Sequence, residues 1–219
     1  MESSESPGHL TDLTRWWPLS DHDELRHDLE AAYRSPDRGY HDVRHLVEVF
    51  ERLAELSVDH RFEPTEVLLA AWFHDAVYDG TSAAEERSAQ WAAEALAGTD
   101  ADAAEVARLV RLTAGHRPEP GDAAGQALSD ADLAILAATP QRYAQYAAGI
   151  RREYARYGDR DFAAGRIAVL EDLLAGEWIY ATRHARERWE HQARTNVSTE
   201  LVTLRTMAWD VAGLPDADA

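Results

Sequence analysis

The chain has neither cysteine nor lysine among its 219 residues. Without cysteine there are no disulfides, thiolate metal ligands or thiol nucleophiles, and a reducing compartment is compatible with that lack. Without lysine there is no Schiff-base chemistry and no P-loop lysine, and every basic side chain besides histidine is an arginine. Positive charge is scarce as well: 22 basic residues face 40 acidic ones, a formal net charge of −18. Such a surface repels phosphate backbones, so a nucleic-acid duplex is not an expected partner. A small anion would need a metal or arginines inside a pocket to compensate it. No apolar run approaches the ~20 residues that span a bilayer. The opening MESSESPGHLTD is polar and acidic, unlike a secretory leader. The expectations are a cytoplasmic protein with no membrane partner; homo-oligomerisation is left open.

What the chain does have is helix. A hydrophobic content of 45% supports a core. Ser20, with Asp23 three residues on, reads as the cap of a helix DHDELRHDLEAAYR. After SPDRG, the segment YHDVRHLVEVFERLAEL carries Val43, Leu46, Val47, Phe50, Leu53 and Leu56 at helical spacing. Pro64 opens TEVLLAAWFHDAVY, whose stretch from Val67 to Phe73 is apolar on every side, as in a helix at the centre of a bundle. Ser82 and Glu85 start a helix that stops at Gly98, and AAEVARLVRLTA runs to Gly115, followed by a loop GHRPEPGDAAG. ALSDADLAILA, a helix capped by Thr139 with Pro140 at its first position, DFAAGRIAVLEDLLA and a long segment from Ile179 to Ala208 complete the pattern. No period-2 alternation between hairpin turns occurs. The expected fold is an all-α, single-domain multi-helix bundle over residues 13–210, with a disordered tail at 1–12 and a flexible one at 211–219.

Two stretches carry chemistry. On a helix, residues four apart share a face, so His41 and His45 of GYHDVRHL are expected side by side. In WFHDAVYDG, His74 and Asp75 lie in an apolar run, where an uncompensated carboxylate is costly. Together they offer nitrogen and oxygen donors suited to Mn, Fe, Ni or Zn. A closing ligand is expected from SDADL, where Asp130 and Asp132 face different ways on a helix and Asp130 is preferred. His116, just past an amphipathic helix, is a candidate for a second metal or a substrate phosphate. Each has an ordinary alternative: two surface histidines, a structural His–Asp hydrogen bond, a capping carboxylate, a loop histidine. Trp16, Trp17, Trp91, Trp178 and Trp189 read as packing residues, and His22, His27, His60, His184 and His191 as surface ones.

The order His45, His74–Asp75, Asp130 resembles the H…HD…D pattern of the HD-domain metal-dependent phosphohydrolases. The strings FHDAVYDG, EERSA, LTAGH, DADLAIL, IRREY and GRIAVL are similar to a bacterial branch of predicted metal-dependent phosphohydrolases in that superfamily, over about Trp16 to Leu204. The resemblance implies an HD-type helical fold and a divalent cation (Mn, Mg, Fe, Ni or Zn) held by His45, His74, Asp75 and Asp130. It implies hydrolysis of a phosphoester of a small metabolite, nucleotide-like substrates first, by metal-activated water. GYHDVRHL also resembles the YHN-x-x-H segment of cyclic nucleotide phosphodiesterases. On that likeness His41 protonates the leaving oxygen and His45 binds metal; Asp75 or Asp130 is expected to orient the attacking water.

The chain departs from those relatives in places. Tyr78 stands four residues beyond His74, where phosphodiesterases carry histidine, and no histidine occurs between Asp75 and His116. One ion, or a second held weakly through His116, is therefore expected. Asp79, Glu85 and Glu86 are further oxygen donors, or ordinary turn and helix-start carboxylates. Arg38, Arg44, Arg117 and Arg166 are the arginines considered for a phosphate contact, each equally readable as an ion-pair partner. Two other functions fit the same pattern: an HD-domain di-iron oxygenase, which the shortage of histidines disfavours, and a non-catalytic ligand-binding protein of the same fold.

Overall fold

The computed structural model describes residues 13–81 and 83–212, with side chains through 206. The expected tail at 1–12, residues 213–219 of the expected tail at 211–219, and the Ser82 cap lie outside the described residues, whereas 211 and 212 are helical. All regular elements among the described residues are helical, as expected. Two compact units divide the chain, one up to Asp132 and one from Leu133 onward.

The first unit holds α1 (Asp23–Tyr33), α2 (Val43–Leu56), α3 (Pro64–Phe73), α4 (Ala84–Ala95), α5 (Ala103–Leu112) and most of α6 (Ala123–Leu133). Its centre is α3. Val67, Leu69, Ala70, Ala71, Trp72 and Phe73 are fully buried, which matches a helix apolar all round. Helices α2, α4 and α5 pack against it. Leu46, Val47, Phe50, Leu53 and Leu56 of α2 form the buried stripe read from their spacing; Val49 is buried as well, and Val43 is half-buried. Trp16 stacks on Phe50, Trp17 meets Trp72 edge-on, and Trp91 meets Phe73 the same way, so these tryptophans are packing residues.

Several boundaries differ from the sequence reading. Helix α1 starts at Asp23 behind a left-handed His22, and Ser20 does not cap it. Helix α2 starts at Val43, because the Asp42 carboxylate accepts the backbone N–H groups of Arg44 and His45 as an N-cap. His41 therefore precedes the helix instead of sharing a face of it with His45.

The end of α3 has a clear cause. Had the helix continued, the Asp75 N–H would have donated to the Ala71 carbonyl. Instead the ring Nδ1 of His74 takes that carbonyl at 2.8 Å, and the Asp75 N–H donates to the Tyr33 hydroxyl at 3.2 Å. The ladder stops, and His74 and Asp75 stand in a turn after Phe73.

The second unit contains a 3-10 helix (Ala134–Ala137), α7 (Pro140–Glu153), α8 (Asp159–Ala175), α9 (Arg183–Arg188) and α10 (Glu190–Ala212). Thr139 caps α7 through the Arg142 N–H, with Pro140 behind it, as read from the sequence. The segment expected as one helix from Ile179 is broken. The Glu190 carboxylate accepts the N–H groups of Ile179 and Tyr180, holding them out of helix, and Thr182 caps the short α9. Arg166 of α8 donates through Nε and Nη2 to Glu200 of α10, at 2.9 and 3.1 Å. His184 was expected on the surface; it is buried and packs edge-on against Trp189.

Candidate metal centre

Three helix ends in the first unit bring the donors together. The Asp42 cap places His45 in the first turn of α2, with its ring beside buried Tyr40 at 4.7 Å between centroids. The interruption after Phe73 sets His74 and Asp75, and the last turn of α6 carries Asp132. One nitrogen each from His45 and His74 and one oxygen from Asp132 lie within 4.8 Å of one another.

The pairs can be followed one by one. His45 Nε2 is 3.1 Å from His74 Nε2 and 3.2 Å from Asp132 Oδ1. His74 Nε2 is 3.7 Å from Asp132 Oδ1. Asp75 Oδ2 stands 3.1 Å from His74 Nε2 and 3.4 Å from His45 Nε2. His45 and His74 are buried, each only 1% exposed, and both carboxylates are mostly covered.

These residues fit a divalent cation. Ligands at about 2.0–2.2 Å from one ion sit roughly 3.0–3.6 Å from their neighbours, which is the spacing seen between most of these donors. Nδ1 of His74 is committed to the Ala71 carbonyl, which leaves Nε2 as the lone-pair nitrogen of the neutral ring. Two buried carboxylates and two neutral imidazoles also want two positive charges, and one dication provides them.

The electrostatics express the same demand through protons. Burial alone would depress the His45 pKa, but its hydrogen bonds to the accepting carboxylates of Asp132 and Asp75, with their charges, raise it to about 10. His74 is raised too, the two aspartates outweighing its burial. Burial would raise Asp132, yet the charge of His74 and the hydrogen bond of His45 bring it down to about 2. Asp75 is held well below the usual range, the charges of His74 and His41 overcoming its burial.

The sequence candidates separate clearly. His45, His74 and Asp75 are brought together. Asp132, not Asp130, supplies the carboxylate of the clustered group. Two residues turn a helix by roughly 200°, and it is Asp132 that faces α2 and α3, while Asp130 is fully buried elsewhere on the helix. His41 approaches from outside the helix, Nε2 at 4.0 Å from Asp75 Oδ2, its ring stacked on Tyr78 at 4.2 Å. His116 lies at the edge: its backbone is left-handed (φ 49), its Nδ1 is 3.3 Å from Ser129 Oγ and its Nε2 is 3.5 Å from Asp132 Oδ2. Burial lowers its pKa.

The remaining candidates are not brought into the cluster. Arg44 is exposed and pairs with Glu48, and Arg117 is exposed on the loop after α5. Arg166 belongs to the second unit, where Glu200 engages it. Asp79 pairs with Arg87 and Glu86 with Arg111, both at the surface. Glu85 is half-buried and its charge acts on His116.

Tyr33 is the residue that no spacing pointed to. Its fully buried hydroxyl accepts from the Asp75 N–H and lies 3.4 Å from His74 Nδ1 and 3.5 Å from the Ala71 carbonyl oxygen. It comes from α1, and only the fold places it behind the candidate ligands His74 and Asp75.

No family model, curated protein or solved structure matches this chain. No helix among the described residues is long and apolar enough to cross a membrane.

Proposed function

We propose that the protein is a metal-dependent phosphoester hydrolase acting on a small phosphorylated metabolite, with nucleotide-like substrates first in line. The observation that carries this reading is the buried convergence of His45, His74 and Asp132, with Asp75 against both imidazoles. The likeness of the ordered histidines and aspartates to HD-domain phosphohydrolases supports it from the sequence side.

His45, His74, Asp132 and Asp75 would hold the cation, which supplies Lewis acidity, acidifying water and polarising a phosphoryl oxygen. The chain's own residues do the rest. Asp75, whose carboxylate lies against both imidazoles, orients the attacking water, whose proton, made acidic by the bound cation, passes to solvent. Water adds to phosphorus, the ester P–O bond breaks, and the departing oxygen takes a proton from His41. His41 has the position for this: it sits beside Asp75, is partly exposed, and is steadied by the Tyr78 ring. Tyr33 keeps Asp75 and His74 in the turn that aims them.

The test is to purify the protein, measure its bound metals, and screen phosphorylated metabolites with the metal varied while following phosphate release and oxygen uptake. Metal-dependent phosphate release that disappears in Asp75→Ala supports the proposal. Oxygen consumption without phosphate release points to an oxygenase and overturns it. Absence of bound metal under every condition overturns it as well.

A further inference from the structure

Arg38 is held unlike three other buried or half-buried arginines, each of which is engaged by a glutamate. Arg26 pairs with Glu30, Arg166 with Glu200 and Arg194 with Glu190. Arg38 donates through Nη1 to the His41 carbonyl at 2.6 Å and through Nη2 to the Ala76 carbonyl at 2.9 Å. Its guanidinium carbon lies 4.8 Å from the centre of the Tyr33 ring and 5.8 Å from that of Tyr78. Carbonyl oxygens and aromatic faces stabilise the cation without neutralising it. Among the described residues, no carboxylate is within ion-pair distance of it, in a chain with 40 acidic residues.

The place of that charge matters as much as its isolation. One of its carbonyl partners belongs to the candidate proton donor, and the other follows Asp75 directly. Arg38 thus spans the segment before α2 and the turn after α3, beside the candidate metal centre, and is half-buried, so part of it meets solvent. The N–H groups not used by the two carbonyls are free of a competing carboxylate. A planar fork of donors, oriented by π faces and desolvated on one side, suits a tetrahedral oxyanion. Arg44 and Arg166 are both taken up by glutamates, so neither competes for that role.

We infer that Arg38 is the anion-contacting residue of the site, its guanidinium receiving a phosphoryl oxygen of the substrate. The inference rests on the phosphohydrolase reading and adds to it the group that binds the phosphate.

The experiment loads the whole protein with Mn²⁺ and titrates inorganic phosphate calorimetrically in the wild type, Arg38→Gln and Arg38→Lys, with Mn²⁺ uptake and helix content measured alongside. Arg38→Gln is expected to take up Mn²⁺ like the wild type and bind phosphate at least about tenfold more weakly, with Arg38→Lys between the two. Phosphate affinity in Arg38→Gln within about twofold of wild type overturns the inference alone. So does loss of Mn²⁺ uptake in both variants, because the arginine would then be a staple of the ligand turn. A Mn²⁺-loaded wild type that binds no phosphate overturns the inference and the hydrolase reading together.

Discussion

The hydroxyl of Tyr33 accepts the backbone N–H of Asp75 at 3.2 Å, across 42 positions of chain. Together with the His74 ring on the Ala71 carbonyl, that bond replaces the helical bond Asp75 would have made to Ala71, and α3 ends before it. Tyr33→Phe strands the Asp75 amide and costs about 1–3 kcal/mol of stability. Because the turn carries two candidate ligands, metal affinity should fall about 10–100-fold. Urea denaturation and a metal titration read the two effects separately.

Asp132 and Asp130 differ by two residues and should differ sharply on substitution. Asp132→Asn removes a clustered donor and is expected to abolish tight metal binding. Asp130→Asn, at a fully buried position outside that group, is expected to lower stability while leaving metal stoichiometry intact. Elemental analysis of both purified variants distinguishes them; loss of metal in the second alone would reverse the assignment.

His41→Ala should separate chemistry from binding. His41 stands outside the clustered donors, so metal content stays at the wild-type level. Loss of a general acid lowers kcat by about 10²-fold or more. Substrates with more acidic leaving groups should suffer less, which a series of leaving groups measures directly.

The pH dependence of chelator-treated protein follows from the cluster. His45 is raised from 6.5 to about 10, so its contribution is fully present below about 6.5 and is lost as pH rises through 10. Asp132 is lowered from 3.8 to about 2, so its contribution is present above 3.8 and is lost as pH falls through 2. Stability is expected to decline on the alkaline side in the presence of chelator. A saturating divalent cation, which takes the place of the protons, should remove that decline. Thermal unfolding from pH 6 to 10 with and without cation provides the comparison.

Arg166→Met should act on the second unit alone. It leaves the Glu200 carboxylate without its guanidinium in a mostly covered setting, a loss of about 3 kcal/mol or more. Metal uptake should be unchanged, as measured by titration of the folded variant.

Much of this was legible before any coordinates. The all-round apolar run Val67–Phe73 announced a central helix, Thr139–Pro140 a helix start, and His45 with His74 two of the three clustered donors. What failed were matters of helix phase. Choosing between Asp130 and Asp132 requires knowing how α6 is rotated against its neighbours, and that is fixed by packing. His41 was placed on α2 because its spacing to His45 looked helical. The carboxylate of Asp42, a strong cap residue between them, was the overlooked signal. Tyr33 and Arg38 act across long stretches of chain through backbone groups, which leave no periodicity to read.

The early stop of α3 has one more effect. A helix that ends at Phe73 directs its C-terminal carbonyl groups, and with them about half an elementary negative charge, toward the very turn that bears His74 and Asp75. The backbone itself then contributes to the attraction for a cation there, and no side-chain substitution that preserves the turn can take that part away.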